Sequence, residues 1–297
     1  MKKVKVLGVP IYASIILISV CILGIIIGSF LDYDISVGLK NKTEIGTWFA
    51  NYGGYFSYCL YPAAGMCLFK GLKKKNLIII AWGLLIASYF IAVYYCNSYF
   101  GKSVRALFNY EAGVSPFIIS MLSYLLWVLL LSWVPLLMYY LLDDDNPNLL
   151  IVVGAVILIA GIISDCVNLW LKQVASRPRF KYLITLDDPK SQFKNWWEMS
   201  PNLAGSNDSF KSWPSGNMTI ATMMFALPLF SDAIKFKKNY IKWILYVFAF
   251  IWVILYGYNR IHMTAHFLTD VCFGTLITYL IFGASSIIGN SALEKIE

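Results

Sequence analysis

The chain contains eight stretches of roughly 18–26 predominantly apolar residues, and this succession limits its fold more than any other feature: 6–31, 52–70, 77–96, 117–142, 149–171, 216–233, 241–258 and 267–289. A bilayer core about 30 Å thick is crossed by a helix of about 20 apolar residues. Inside it every backbone N–H and C=O must be satisfied within the protein, which leaves helices or a closed barrel. Stretches of this length predict helices, so the expectation is an all-α, polytopic transmembrane bundle of about eight spans. Composition agrees: 59% of the residues are apolar, 13% are charged and the mean hydropathy is +0.66, which excludes an ordinary water-soluble domain. The first stretch follows Lys2, Lys3 and Lys5 as a signal peptide would, but its apolar run is too long and no small-x-small cleavage site follows, so it reads as a retained span. The second is the poorest helix on propensity, because Gly53, Gly54, Pro62 and Gly65 fall within it.

The excess of 24 Lys+Arg over 16 Asp+Glu points to membrane surfaces rather than to nucleic acid. With the N-terminus placed in the cytoplasm, the basic residues divide evenly, twelve on each face. The N-terminal lysines and the cluster Lys70, Lys73, Lys74 and Lys75 favour that orientation. Eight of the twelve outer residues, Lys172 through Lys211 and Arg260, then need another role. The six cysteines are scattered through apolar segments without a repeating spacing and read as reduced side chains. Asp143, Asp144 and Asp145 before Pro147 read as a solvated turn rather than a metal site.

One long hydrophilic insertion, 172–215, interrupts the spans, and three polar signatures lie around it at helix ends. Parity puts all three on one face of the membrane. The first runs from Lys172 through Arg177-Pro178-Arg179-Phe180, basic groups at the end of a helix that Pro178 stops. The second is Trp213-Pro214-Ser215-Gly216-Asn217, a helix start whose free amides suit an anion. The third is Asn259-Arg260-Ile261-His262 followed by His266 and Asp270. Four residues apart on a helix, His266 and Asp270 would share a face, and the carboxylate would orient the imidazole. Cations and helix-start amides neutralise a phosphoryl group, and an oriented His can attack phosphorus to form a phospho-His that water then hydrolyses.

Together the signatures resemble those of the type 2 phosphatidic acid phosphatase superfamily, Lys-x6-Arg-Pro, Pro-Ser-Gly-His and Ser-Arg-x5-His-x3-Asp. Lys172 and Arg179 match the first, Pro214-Ser215-Gly216 the second, and Arg260, His266 and Asp270 the third. The resemblance implies a six-helix phosphatase core over 77–297 with its extracytoplasmic loop at 172–215, preceded by a two-span addition over 1–76. It implies an integral membrane lipid phosphatase, and the distribution of lysines adds the orientation, a cell-membrane protein with both termini cytoplasmic and the active site outside. In that reading His266 is the nucleophile, Asp270 its partner, and Lys172, Arg179, Ser215, Gly216, Asn217 and Arg260 hold phosphate. The substrate is a membrane lipid phosphate, and no metal, cofactor or nucleic acid is needed.

Three positions depart from the pattern: Phe180 stands for Pro, Asn259 for Ser and Asn217 for the His that protonates the leaving oxygen. An amide cannot deliver a proton, and such an acid is worth about 10²–10⁴ in rate. Three readings follow. A diphosphorylated lipid leaves as a phosphate monoester and needs little protonation; His262, one turn from His266, serves as the acid; or the protein binds or transports lipid phosphates without turnover. Asp165, seven residues before Lys172, either tunes the cationic site or pairs with a neighbouring helix.

Overall fold

A computed structural model describes residues 5–107, 116–200, 207–236 and 238–296. Lys2, Lys3 and Lys237 of the charge count fall outside them. A short antiparallel hairpin, β1 (Lys5–Val6) and β2 (Val9–Pro10), leads into α1 (Ile11–Leu39). Then come α2 (Glu44–Tyr52), α3 (Tyr55–Tyr58), α4 (Leu60–Lys74), α5 (Ile78–Leu107), α6 (Pro116–Leu131) and α7 (Trp133–Leu141). The second half holds α8 (Pro147–Ala175), α9 (Phe180–Leu183), α10 (Gly216–Thr222), α11 (Leu227–Ala233), α12 (Asn239–His262) and α13 (Leu268–Ile296). The protein is an all-α helical bundle, as the run of apolar stretches predicts.

Among the described residues, six helical segments are long and apolar enough to cross a membrane: α1, the first 21 residues of α5, α6 with α7, α8, α12 and α13. The other two predicted stretches are helical in segments and are not among the helices long and apolar enough to cross a membrane. Residues 55–74 comprise α3 and α4, and residues 216–233 comprise α10, a 3-10 turn at Met223–Ala226 and α11. At 1.5 Å per residue these reach about 30 and 27 Å. Their composition differs from the rest because protein, rather than lipid, surrounds them: every residue from Leu60 to Gly71 is buried. Gly65, one of the residues that make 52–70 a poor helix on propensity, lets α4 approach α5, because a Cβ there would overlap the Ser88 side chain. A Cβ on Gly154 of α8 would lie 2.6 Å from the Ala64 carbonyl oxygen of α4. The long helices instead turn large apolar side chains outward, Phe30 and Ile79 among them, at 82% and 86% exposure. Such a continuous apolar exterior suits lipid and not water.

The two ends of the bundle are tied differently. At one end Leu142 and Ile234 form a β-bridge, Asp143 N–H donates to the Ala233 carbonyl and Lys235 N–H to that of Leu141. Buried Lys70 donates there to the carbonyls of Tyr139 and Leu142 and pairs with Asp144 at 2.6 Å, so the acidic turn has a partner in α4. At the other end the C-termini of α1, α8 and α12 meet the N-termini of α10 and α13. Here Asn41 N–H donates to the His262 carbonyl, Lys181 N–H to that of Thr264 and Ser215 N–H to that of Asp270. The three signatures thus share one end, as parity requires. All six cysteines are free thiols. Asp165 faces Tyr61 and Tyr95, whose rings stack at 5.9 Å; this is the neighbouring-helix pairing, the second of the two readings for that residue.

Candidate active site

Helix α8 is placed by its own sequence. Asn146 caps it by accepting from Leu149 N–H, Pro147 supplies the first turn, and Ser176 ends it in the left-handed region (φ 44°). Lys172 therefore lies in the last turn, buried, donating to the carbonyls of Lys211 and Pro214 at 2.8 and 2.7 Å. An ammonium has three N–H bonds, so one remains for an anion. Asn168, one turn earlier, donates to the same Pro214 carbonyl. A Cβ on Gly216 would meet Asn168 Oδ1 at 3.1 Å and Lys172 Cε at 3.4 Å, so a small residue belongs there.

The Trp213–Pro214 peptide is cis, and α10 starts after Ser215. The Ser215 hydroxyl caps the helix by accepting from Met218 N–H, and its own N–H goes to the Asp270 carbonyl. Ser215 is thus engaged in holding the turn, and the amides that follow it belong to Gly216 and Asn217. Asn217 is half-buried.

Arg179 N–H is anchored on the Ser209 carbonyl, and its guanidinium reaches Asp208 at 2.7 Å, with Lys181 on the other carboxylate oxygen at 3.1 Å. Burial pushes the Asp208 carboxyl up, but Arg179 and Lys181 outweigh it and hold the group below its usual range. Arg260 lies in the last turn of α12, buried, over the Tyr256 ring and braced by Asn259 Oδ1 at 2.7 Å. Asn259 in turn donates to the Gly46 carbonyl of α2, so the residue standing for Ser fixes the arginine to a neighbouring helix. Phe180, standing for Pro, packs with Leu183 and Phe267.

His266 precedes α13 rather than lying on it, because the chain turns at Thr264 (φ 59°) between α12 and α13. The expectation of a shared helix face is corrected accordingly. Asp270 occupies the first turn and accepts from Phe267 N–H at 2.9 Å, reaching back to the residue before the helix. Its Oδ2 lies 3.7 Å from His266 Nδ1, and the direct partner of Nδ1 is the Ser212 carbonyl at 2.8 Å. A carbonyl only accepts, so Nδ1 carries the proton and Nε2 keeps its lone pair. Nε2 is buried with no hydrogen-bond partner among the described residues, and so is Arg260 Nε. Burial pushes the His266 imidazole down to about 3; Asp270 opposes this, while Arg179 and Lys172 add to it. The ring is neutral at neutral pH, the state a nucleophile needs.

The structure thus gathers Lys172, Arg179, His266 and Asp270 electrostatically, with Ser215 and Ser212 bonded into the same turn. His262 stands apart. Its Nδ1 is bonded to the Leu39 carbonyl at 2.9 Å and its ring stacks on Tyr258. Among the described residues no hydrogen bond or ring contact joins it to the others. Sequence reasoning missed Ser212, Thr269, Asp32 and the separate part played by Arg177. The signal available for Ser212 was its place directly before the Trp-Pro-Ser-Gly turn.

Residues 149–292 match the family model described as the PAP2 superfamily. That segment belongs to the PAP2 superfamily. Every site residue expected from the sequence is inside the PAP2 segment, and α1 through α7, with Asp32, precede it. Neither the comparison with curated proteins nor that with solved structures returns a match. Members of this family are phosphatases, so the match supports a phosphatase-type lipid function in general, and the six long apolar helices are compatible with a multi-pass membrane protein.

Proposed function

We propose that the protein removes the terminal phosphate from a phosphorylated or diphosphorylated membrane lipid through a phospho-His266 intermediate. The observation that carries this reading is the bare, buried Nε2 of a neutral His266 beside Lys172 and Arg179. Nε2 attacks phosphorus as the phosphorus–oxygen bond to the leaving group breaks. Asp270 balances the positive charge that the ring acquires. Water then attacks phosphorus as the phosphorus–nitrogen bond breaks; the phosphate leaves with the water's protons and the neutral imidazole is restored. Lys172, Arg179, Arg260 and the amides after Ser215 balance the charge on the equatorial oxygens. The chemistry proceeds without metal.

Asn217 narrows the substrate. With an amide where the acid would stand, a leaving group that is itself a phosphate monoester, with a second pKa near 6, departs without prior protonation. A lipid diphosphate therefore fits better than phosphatidate. The core covers 77–297, with 1–76 as an addition. The site faces outward, and both termini are cytoplasmic in the cell membrane; the lysines around Lys70 support this orientation.

Phosphate release by the purified protein from phosphatidate, phosphatidylglycerol phosphate and polyprenyl diphosphate tests the reading. The diphosphate should be fastest, and His266→Ala should abolish turnover. Wild-type rates in the His266→Ala variant would overturn it.

A further inference from the structure

We propose that Asp32, carried by α1 outside the PAP2 segment, is a positioning residue for the nucleophile: it holds Arg177 against Asp270 and so sets the charge that Asp270 presents to His266. The inference rests on the phospho-His reading above.

Arg177 is 1% exposed and lies between two buried carboxylates, 3.0 Å from Asp32 Oδ2 and 2.7 Å from Asp270 Oδ1. Its Nη1 also donates to Thr269 Oγ1 at 2.8 Å and its Nε to the Lys194 carbonyl at 2.8 Å. The guanidinium Cζ lies 4.3 Å from the Phe267 ring centroid and 5.4 Å from that of Phe193. Four of the five guanidinium N–H groups are thereby committed to protein atoms, so this arginine is not a phosphate ligand. It is instead a buried bridge between α1 and the carboxylate that faces His266.

Asp32 does a second thing. Its Oδ1 accepts from Thr269 N–H at 3.0 Å, and its Oδ2 also bonds the Thr269 hydroxyl. Thr269 sits in the first turn of α13, where backbone amides have no partner within the helix. A residue 237 positions away thus caps the helix that carries Asp270. Gly28, one turn before Asp32, permits the approach: a Cβ there would lie 2.7 Å from Thr269 Cγ2.

The charges explain why this matters to the reaction. Asp32, Arg177 and Asp270 sum to one negative charge beside a neutral ring. When Nε2 bonds to phosphorus the ring becomes cationic and the group as a whole becomes neutral. Replacing Asp32 by Asn makes the resting group neutral and the intermediate cationic, in a buried site where charge is weakly screened. Replacing Asp32 by Asn and Arg177 by Gln together restores the original sum.

The test is steady-state phosphate release by the purified full-length protein in detergent micelles, using the best of the three lipids above. Asp32→Asn should lower kcat about ten- to hundredfold while KM and inhibition by inorganic phosphate change less than about twofold. Asp32→Glu should recover most of the rate, and this variant keeps the test open should Asp32→Asn fail to fold. The double variant Asp32→Asn/Arg177→Gln should be faster than Asp32→Asn alone, which a purely structural ion pair would not produce. A wild-type kcat in folded Asp32→Asn, an Asp32→Glu no faster than a misfolded or slow Asp32→Asn, or a double variant no faster than the single one, overturns the inference. His266→Ala runs alongside. If it is inactive while Asp32→Asn matches wild type, only this inference falls; if it turns over normally, the phospho-His reading falls as well.

Discussion

Ser212 and His266 are joined by a 2.8 Å hydrogen bond from the ring Nδ1–H to the backbone carbonyl, and the Ser212 hydroxyl continues the chain by donating to Asp270 Oδ2 at 2.5 Å. One residue therefore fixes the tautomer of the ring and orients the carboxylate beside it. The backbone does the first and the side chain the second, so substitution separates them.

Ser212→Ala keeps the carbonyl and deletes the donor to Asp270. A hydrogen bond to a charged group is worth about 1.5–3 kcal/mol, so kcat should fall roughly ten- to hundredfold with the tautomer unchanged. Rates of phosphate release in wild type and variant measure this, and an unaltered kcat would show that the hydroxyl is immaterial.

Because the chain has only two histidines, the state of His266 can be read directly by nitrogen-15 NMR of histidine-labelled protein. Its imidazole, lowered from 6.5 to about 3, should remain neutral from about pH 8 down to about pH 5. For a base whose folded value is depressed, stability is whole above the unfolded value and declines as pH falls below 6.5 towards 3. A ring that disappears in His266→Ala and titrates near 6.5 in wild type would refute this.

Asn217→His reinstates an acid at the start of α10. Phosphatidate, whose leaving alkoxide needs a proton, should be hydrolysed faster by a factor within the range of about 10²–10⁴, and a lipid diphosphate should gain far less. Equal gains on both lipids would break the link between Asn217 and the leaving group.

Asp208→Asn releases Arg179 from its ion pair. The carboxylate competes with substrate phosphate for that guanidinium, and an exposed pair is worth about 0.2–1 kcal/mol, so KM should drop about one-and-a-half- to fivefold. The effect should shrink as salt is added. The pair is intact above the ordinary carboxyl range, where Asp208 is ionised, and is lost only as pH falls through its lowered folded value. A raised KM in the variant would count against competition.

Gly274→Ala places a Cβ 2.5 Å from the Ser215 carbonyl oxygen, a backbone atom held by its turn. Parting α13 from α10 should destabilise the protein by about 1–3 kcal/mol and slow turnover, both seen by thermal unfolding and kinetics. Gly83→Ala, with nothing within 4 Å of the added methyl, is the control and should be neutral to slightly stabilising.

The passes through the membrane were legible because lipid imposes a length and a polarity on each exposed helix. They were least regular where lipid is absent: α4 and the α10–α11 segment are enclosed by neighbours, so glycine, a short helix and a 3-10 turn are tolerated there. The three signatures were legible because their spacings are local. Asp32, Thr269 and Ser212 carry no local pattern, since each acts across a long separation in sequence. Arg177 and Arg179 stand two residues apart, and sequence alone does not assign them: burial against two carboxylates distinguishes the first, and the ion pair with Asp208 the second.

The bond between Asp32 and Thr269 gives the protein an order of assembly. Translation makes α1 well before α13. Asp32 therefore stays without its backbone partner until all the intervening passes are in place. A nascent chain ending before Leu268 would already hold Lys172, Arg179, Arg260 and the His266 imidazole, but it would have neither Asp270 nor the helix that Asp32 caps. The contact that ties α1 to the start of α13 therefore closes only after α13 has been made.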